Sequence, residues 1–304
     1  MTSSALNPTP FGRVATAMVT PMRGDLSVDL DGAQRLATHL VDAGNDALVV
    51  NGTTGESATT TDHEQEALVR AVVEAVGDRA LVIGGASSND TVHAVERARL
   101  AFKAGAHALL VVTPYYNRPQ QAGVQHHLGA VAEATPLPVM LYDIPGRTGV
   151  AIEPDTYVRL AEAHDNIVAV KDAKADLGSA SWALRRSGLV WYSGDDVLTL
   201  PFLSIGAVGI VSVCSHVATP QIRAMVEAYV SGDVDRAALL HRSLLPVFTG
   251  MMGRMPGVVS AKAALTQLGL PGGPVRPPMM DASEDELAGL VLDLADGGIP
   301  GFAA

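Results

Sequence analysis

A single cysteine, Cys214, stands in 304 residues. One thiol can neither close a disulfide within the chain nor assemble a thiolate zinc site, and this usage fits a reducing cytosol. Cys214 itself reads as a small buried hydrophobe. Positive charge is scarce too: 21 Lys and Arg face 32 Asp and Glu, a formal net charge of −11. That balance speaks against nucleic-acid and anionic-membrane surfaces, because both need cations to replace counterions. No apolar run approaches the roughly 18 residues of a membrane span. The opening MTSSALNPTPFGR has no basic segment leading into an apolar stretch, so a soluble, cytoplasmic protein is expected. With 48% hydrophobic and only 17% charged residues, the chain has the composition of a packed protein, which excludes disorder for its bulk.

Eight short apolar runs recur along the chain, beginning at Val14, Ala47, Ala80, Ala108, Pro138, Ile167, Val190 and Val208, each ending in a polar or glycine cluster. Runs apolar on both faces are the mark of strands covered on both sides, as in a parallel sheet. Between them lie stretches of helical spacing. In DHEQEALVRAVVEAVG, Leu68, Val69, Val72, Val73 and Val76 form one stripe, acidic residues gather near the start, and Gly77 closes the segment. Eight strands in alternation favour a closed (β/α)8 TIM barrel of the α/β class. From about Pro220 the pattern is helical only, broken by LPGGPVRPP between Leu270 and Pro278. The expected division is a barrel catalytic domain over residues 1–224 and a C-terminal α-helical extension over 225–304.

In such a barrel the active site sits at the C-terminal strand ends. The polar residues there are Thr53, Thr54 and Glu56, Tyr115 and Tyr116, Tyr142 and Arg147, Lys171, and Asp195 with Asp196. Lys171 is the most informative. Of the four lysines, Lys103, Lys174 and Lys262 fall in segments that read as helix or exposed loop, whereas Lys171 follows Ile167-Val168-Ala169-Val170 inside a strand. Burial disfavours the ammonium and frees the amine as a nucleophile toward keto groups; the bland alternative is a snorkelling stem with its head in water. Tyr142 suits a proton relay or a satisfied core position. Arg147, after a Pro-Gly turn, suits a carboxylate clamp or a solvated surface. GTTGES lacks the lysine of a phosphate loop, but its threonines offer hydroxyls and backbone N–H groups to a carboxylate. The nine histidines and the Asp195-Asp196 pair show no metal-ligand spacing, so no metal is expected.

GTTGES, TPYYNRP, YDIPGRTG, VKDAK and SGDD occur in this order, each closing an expected strand. Together they resemble the dihydrodipicolinate synthase (4-hydroxy-tetrahydrodipicolinate synthase) family of pyruvate-dependent class I aldolases, from about Val14 to the C-terminal helices. The resemblance implies that Lys171 forms an imine with pyruvate, whose enamine adds to L-aspartate 4-semialdehyde in lysine and diaminopimelate biosynthesis. It also implies Thr53 near the pyruvate carboxylate, Thr54 and Tyr142 in the proton relay, and Tyr116 crossing from a neighbouring subunit to complete it. Arg147 would receive the carboxylate of the aldehyde, and Gly194 and Val211 would make backbone contacts around the imine. No cofactor is implied, and a homotetramer built as a dimer of dimers is. A sister activity on a 2-keto sugar acid, such as an N-acetylneuraminate lyase, would share Lys171, Tyr142 and the GTTGE loop but not Arg147. A catalytically silent binding module would be expected to have lost the nucleophile or the relay.

Two departures stand out. Asp143 replaces the asparagine many members carry after the tyrosine. In members inhibited by L-lysine the positions of Asp62 and Gln65 are histidines and that of His93 is a glutamate, while Ser57, Ala58, Asn89 and Tyr115 match the effector pocket. A histidine at position 93 cannot compensate desolvation of the effector's ammonium, so inhibition by L-lysine is expected to be weak or absent. A steady-state titration showing half-maximal inhibition in the sub-millimolar range would refute this.

Overall fold

The computed structural model describes residues 8–302. The eight apolar runs become eight strands: β1 (Val14–Ala17), β2 (Ala47–Val50), β3 (Leu81–Gly85), β4 (Ala108–Val112), β5 (Val139–Asp143), β6 (Ile167–Asp172), β7 (Val190–Ser193) and β8 (Gly209–Ser212). They pair in parallel in chain order, and β8 closes on β1. Nearly every strand residue is buried, because the inner face fills the barrel and helices cover the outer one; this is why the runs show no alternation. The helices that follow the strands are α1 (Leu30–Asp42), α2 (Asp62–Val76), α3 (Thr91–Lys103), α4 (Gln121–Glu133), α5 (Pro145–Thr148), α6 (Pro154–Ala163), α7 (Leu177–Ser187), α8 (Thr199–Ser204) and α9 (Ser215–Val230). Beyond the barrel come α10 (Val234–Ser243), α11 (Leu245–Phe248), α12 (Gly257–Gln267) and α13 (Glu284–Asp296).

Local chemistry sets the helix ends. Thr61 and Glu64 form a reciprocal capping box at the start of α2, and Gly77 is its C-cap, as the pattern predicts. Ser283 and Glu286 do the same for α13. Asp176 caps α7, which Gly188 ends in the left-handed conformation at φ 69°.

Residues 224 and 225 lie inside α9, the helix of the eighth β/α unit. The helices after it share the barrel's core: Leu290, Leu294, Ile299 and Phe302 belong to the same buried cluster as the strand residues. The Pro/Gly-rich segment packs against the barrel. The Met22 N–H donates to the Gly272 carbonyl (3.3 Å), and a Cβ on Gly273 would lie 1.9 Å from the Met22 carbonyl oxygen.

One irregularity positions the site. Val139 pairs with Ile167, but Met140 pairs with Ala169, so β6 gains one residue against β5 and Tyr142 faces Lys171. Continued from Val139, a regular register would have placed Val170 beside Tyr142 and turned the lysine to the other face.

A second close approach lies at the end of β3, where a Cβ on Gly85 would sit 2.1 Å from the Asn51 carbonyl oxygen. Gly85→Ala must push out the loop after β2. We expect a loss of about 1–3 kcal/mol in chemical denaturation, and an unchanged midpoint would contradict the packing described.

Candidate active site

Seven of the eight residues nominated by the sequence gather at the C-terminal end of the barrel, and Tyr116 stands at its rim. Lys171 is 5% exposed, and its Nζ lies 4.3 Å from the centroid of the Tyr142 ring. Burial lowers the Lys171 pKa to about 8, helped by the Arg147 charge and opposed by Asp196. The free amine is therefore far more populated at neutral pH than that of an ordinary lysine. Burial raises the Tyr142 phenol to about 12, against the Arg147 charge and a hydrogen bond with the Thr53 side chain. Tyr142 thus keeps its proton and can pass it on.

Thr53, Tyr142, Arg147 and Tyr115 line a cavity of about 240 Å³ beside this pair. Thr53, expected at a carboxylate, lines the cavity together with Tyr142, whereas Thr54, expected in the relay, is not among its lining residues. The reason is the turn: Gly55 N–H donates to Gly52 O (3.0 Å) and Glu56 N–H to Thr53 O (3.1 Å), which carries Thr53 toward β5. The amides of both threonines make no hydrogen bond among the described residues, so they remain available to an anion.

Arg147 is exposed and lies in α5, a single helical turn started by Pro145 and ended by Gly149 at φ 80°, rather than after a simple Pro-Gly turn. Its guanidinium has no partner among the described residues, although it lines the cavity. An unpaired fork has the geometry to receive a carboxylate through two parallel hydrogen bonds. Gly194 is needed because a Cβ there would come within 3.0 Å of Lys171 Cγ. Val211 is a buried β8 residue paired with Ala15 of β1. Tyr116 is 88% exposed with φ 73°. Its N–H donates to Thr148 O (3.1 Å). This left-handed backbone costs about 1–3 kcal/mol.

Sequence reasoning named Asp143 and Asp196 but missed the partners that bury them, Tyr157 among them, and Asp172 with Trp191. Asp143 is fully buried; it accepts from Tyr157 Oη (2.9 Å) and the Ile152 N–H (3.2 Å), with Lys174 Nζ at 3.7 Å. Burial pushes Asp143 up to about 6, opposed by Lys174. Trp191 Nε1 donates to Asp172 (3.0 Å), and Asp196 accepts from Ser212 and from the Val213 N–H (3.1 Å). Lys174 and Lys262, read as helix or exposed loop, are 12% and 2% exposed; their acidic partners, Asp143 and Glu56, are distant in sequence. Asp195 caps the turn that follows it, accepting from the Val197 N–H (3.1 Å).

At the positions matching a lysine-effector pocket, Asp62 accepts from His93 Nε2 (2.8 Å) and Arg97 Nε (2.9 Å). Burial would raise its pKa, but these two bonds hold it below the ordinary value. The Gln65 amide donates to Ser57 O and Thr60 O, at 3.0 and 3.2 Å. The Asp62 carboxylate is therefore already met by the Arg97 guanidinium and the His93 ring.

A closed (β/α)8 barrel with a buried strand-end amine stacked on a tyrosine defines the class of imine-forming barrels. The sequence model of the dihydrodipicolinate synthetase family matches residues 10–296, and the chain belongs to that family. The 4-hydroxy-tetrahydrodipicolinate synthase of Acidothermus cellulolyticus is 63% identical over 301 residues, covering 99% of this chain and 97% of that protein. Two solved structures superpose closely. A dihydrodipicolinate synthase from Cyanidioschyzon merolae with lysine bound has a TM-score of 0.92 and 42% identity, covering 95% of this chain and 98% of the other. The chloride-inhibited synthase from Acinetobacter baumannii complexed with pyruvate has a TM-score of 0.90 and 33% identity, covering 95% and 99%.

Competitive labelling with a small amine-reactive reagent across a range of pH, read by peptide mass spectrometry, will show Lys171 half deprotonated near pH 8. A midpoint in the ordinary lysine range, about 10.4, would contradict the desolvated site.

Proposed function

We propose that this chain is a 4-hydroxy-tetrahydrodipicolinate synthase, a Schiff-base lyase that condenses pyruvate with L-aspartate 4-semialdehyde. The observation that carries the reading is the buried Lys171 amine over the Tyr142 ring, whose tyrosine lines a cavity with an Arg147 that has no ion pair among the described residues. Lys171 attacks the keto carbon of pyruvate, and the resulting carbinolamine loses water to give an imine. Loss of a methyl proton gives the enamine, whose carbon adds to the aldehyde. The amine of the second substrate then displaces lysine by transimination, closing the ring. Tyr142, protonated at neutral pH, and Thr53 move the protons of these steps, while the Thr53 and Thr54 amides receive the pyruvate carboxylate. Arg147 receives the carboxylate of the aldehyde substrate, a demand that a sugar-acid acceptor would not make in this form. The electron sink is the protonated imine itself, so the scheme needs no bound cofactor.

Tyr116 reaches into a neighbouring subunit of a homotetramer built as a dimer of dimers. Its support is a tyrosine held in a costly backbone conformation with its ring in solvent. The barrel unit runs through α9, and the extension that begins after it shares the barrel's core. The cytoplasm is the compartment that fits a lone buried thiol; among the described residues no helix is long and apolar enough to cross a membrane.

The decisive experiment couples pyruvate and L-aspartate 4-semialdehyde consumption to NADPH oxidation by an added dihydrodipicolinate reductase. Lys171→Ala is expected to abolish both turnover and borohydride trapping of pyruvate. Tyr116→Phe should lower kcat by about 10²-fold or more with trapping retained, and Arg147→Met should raise KM for the aldehyde well above its effect on pyruvate. Trapping without turnover in the wild type would move the assignment to another acceptor.

A further inference from the structure

Glu56, at the end of the GTTGES turn, is 6% exposed and sits in the left-handed region at φ 57°. Asn51, at the start of the same loop, has φ 61°. Two such residues are strained, and strain of this kind persists only where the surroundings over-determine it. The surroundings of Glu56 come from the far end of the chain. Its Oε1 pairs with Lys262 Nζ of α12, a lysine 2% exposed. Its Oε2 accepts the Arg276 N–H (2.8 Å). Lys262 Nζ also donates to Pro274 O (2.7 Å), which ties the pair to the segment ahead of Arg276. The Arg276 guanidinium then clasps both Glu64 oxygens of α2 (2.9 and 2.5 Å), Thr59 O (2.8 Å) and Leu26 O (2.8 and 3.0 Å). On the other side of the turn, Thr20 Oγ1 donates to Gly55 O (2.6 Å).

A buried ion pair is a poor device for stability, because desolvation offsets most of its attraction and an apolar pair of similar volume does as well or better. It is a good device for fixing geometry, since both charges must be met at defined positions. Three residues before Glu56 stands Thr53, which lines the same cavity as Tyr142. We propose that Lys262, through Glu56, is a positioning residue for catalysis: the ion pair holds the GTTGES turn in its strained form and thereby keeps Thr53 on the Tyr142 relay. The kinetic part of this inference rests on the reaction proposed above; the structural part does not.

The test uses the full chain carrying Lys262→Met together with Glu56→Gln, which removes both charges and leaves the Arg276 amide a carbonyl acceptor. Glu56→Gln alone would strand a buried ammonium, so the double variant is the informative one. Hydrogen exchange of the peptide covering residues 51–60 is expected to speed up by at least about tenfold, with the barrel strands unchanged. Borohydride trapping of pyruvate counts the competent Lys171 sites in each preparation. Per trapped site, kcat should fall by about 10- to 100-fold, the size of effect an ångström of misplacement produces, with KM for pyruvate within about threefold of wild type. Loop exchange at the wild-type rate would overturn the proposal. So would a kcat loss that matches the loss of trapped sites, since that is what a purely structural pair would give. A wild type that traps no pyruvate would remove the functional reading alone, and loop exchange would still decide whether the pair holds the turn.

Discussion

Lys171 Nζ rests 4.3 Å from the centre of the Tyr142 ring, in a place too dry for the amine to hold its proton as firmly as in water. The same dryness acts in opposite directions on the two groups. It lowers the ammonium to about 8 and raises the phenol to about 12, so the amine is freed while the phenol keeps its proton. A single nearby charge would instead move both pKa values in the same direction. The contact exists because β6 gains a residue against β5 just after Val139, an irregularity of one residue that decides which side chain enters the site.

Keeping that pair dry requires anchored strand ends. Asp143 and Asp172 follow Tyr142 and Lys171 directly, and successive strand residues point to opposite faces. They are buried on the far side, bound to Tyr157 and Trp191, whose rings meet edge to face at 5.0 Å. Asp196 ties the loop after β7 to the end of β8. Each carboxylate has its pKa raised by burial, and each has donors that make the burial tolerable. The Lys171–Tyr142 pair is thus backed by a layer of satisfied polar groups that share its strands.

The loops that complete the site are held from farther away. The turn bearing Thr53 is braced by Lys262 and Arg276, and Arg147 is left unpaired while most of its neighbours' polar groups are engaged. The C-terminal helices therefore belong to the site's construction as well as to the common core.

From the sequence alone the eight strands, the barrel, a helix starting near Asp62 and closed by Gly77, and the placement of Lys171, Tyr142 and Arg147 around the C-terminal strand ends could be read. Those features are written in local patterns: apolar runs, capping residues, and polar side chains at strand ends. Their physical basis lies within a few residues of each position. Tertiary structure alone decided that Thr53 rather than Thr54 lines the cavity with Tyr142, that a slipped register sets Lys171 beside the phenol, and that Lys262 is buried on a Glu56 far away in the sequence. Those outcomes depend on how separate elements approach one another, and the burial and partners that tune a charge are properties of that approach, not of the residue.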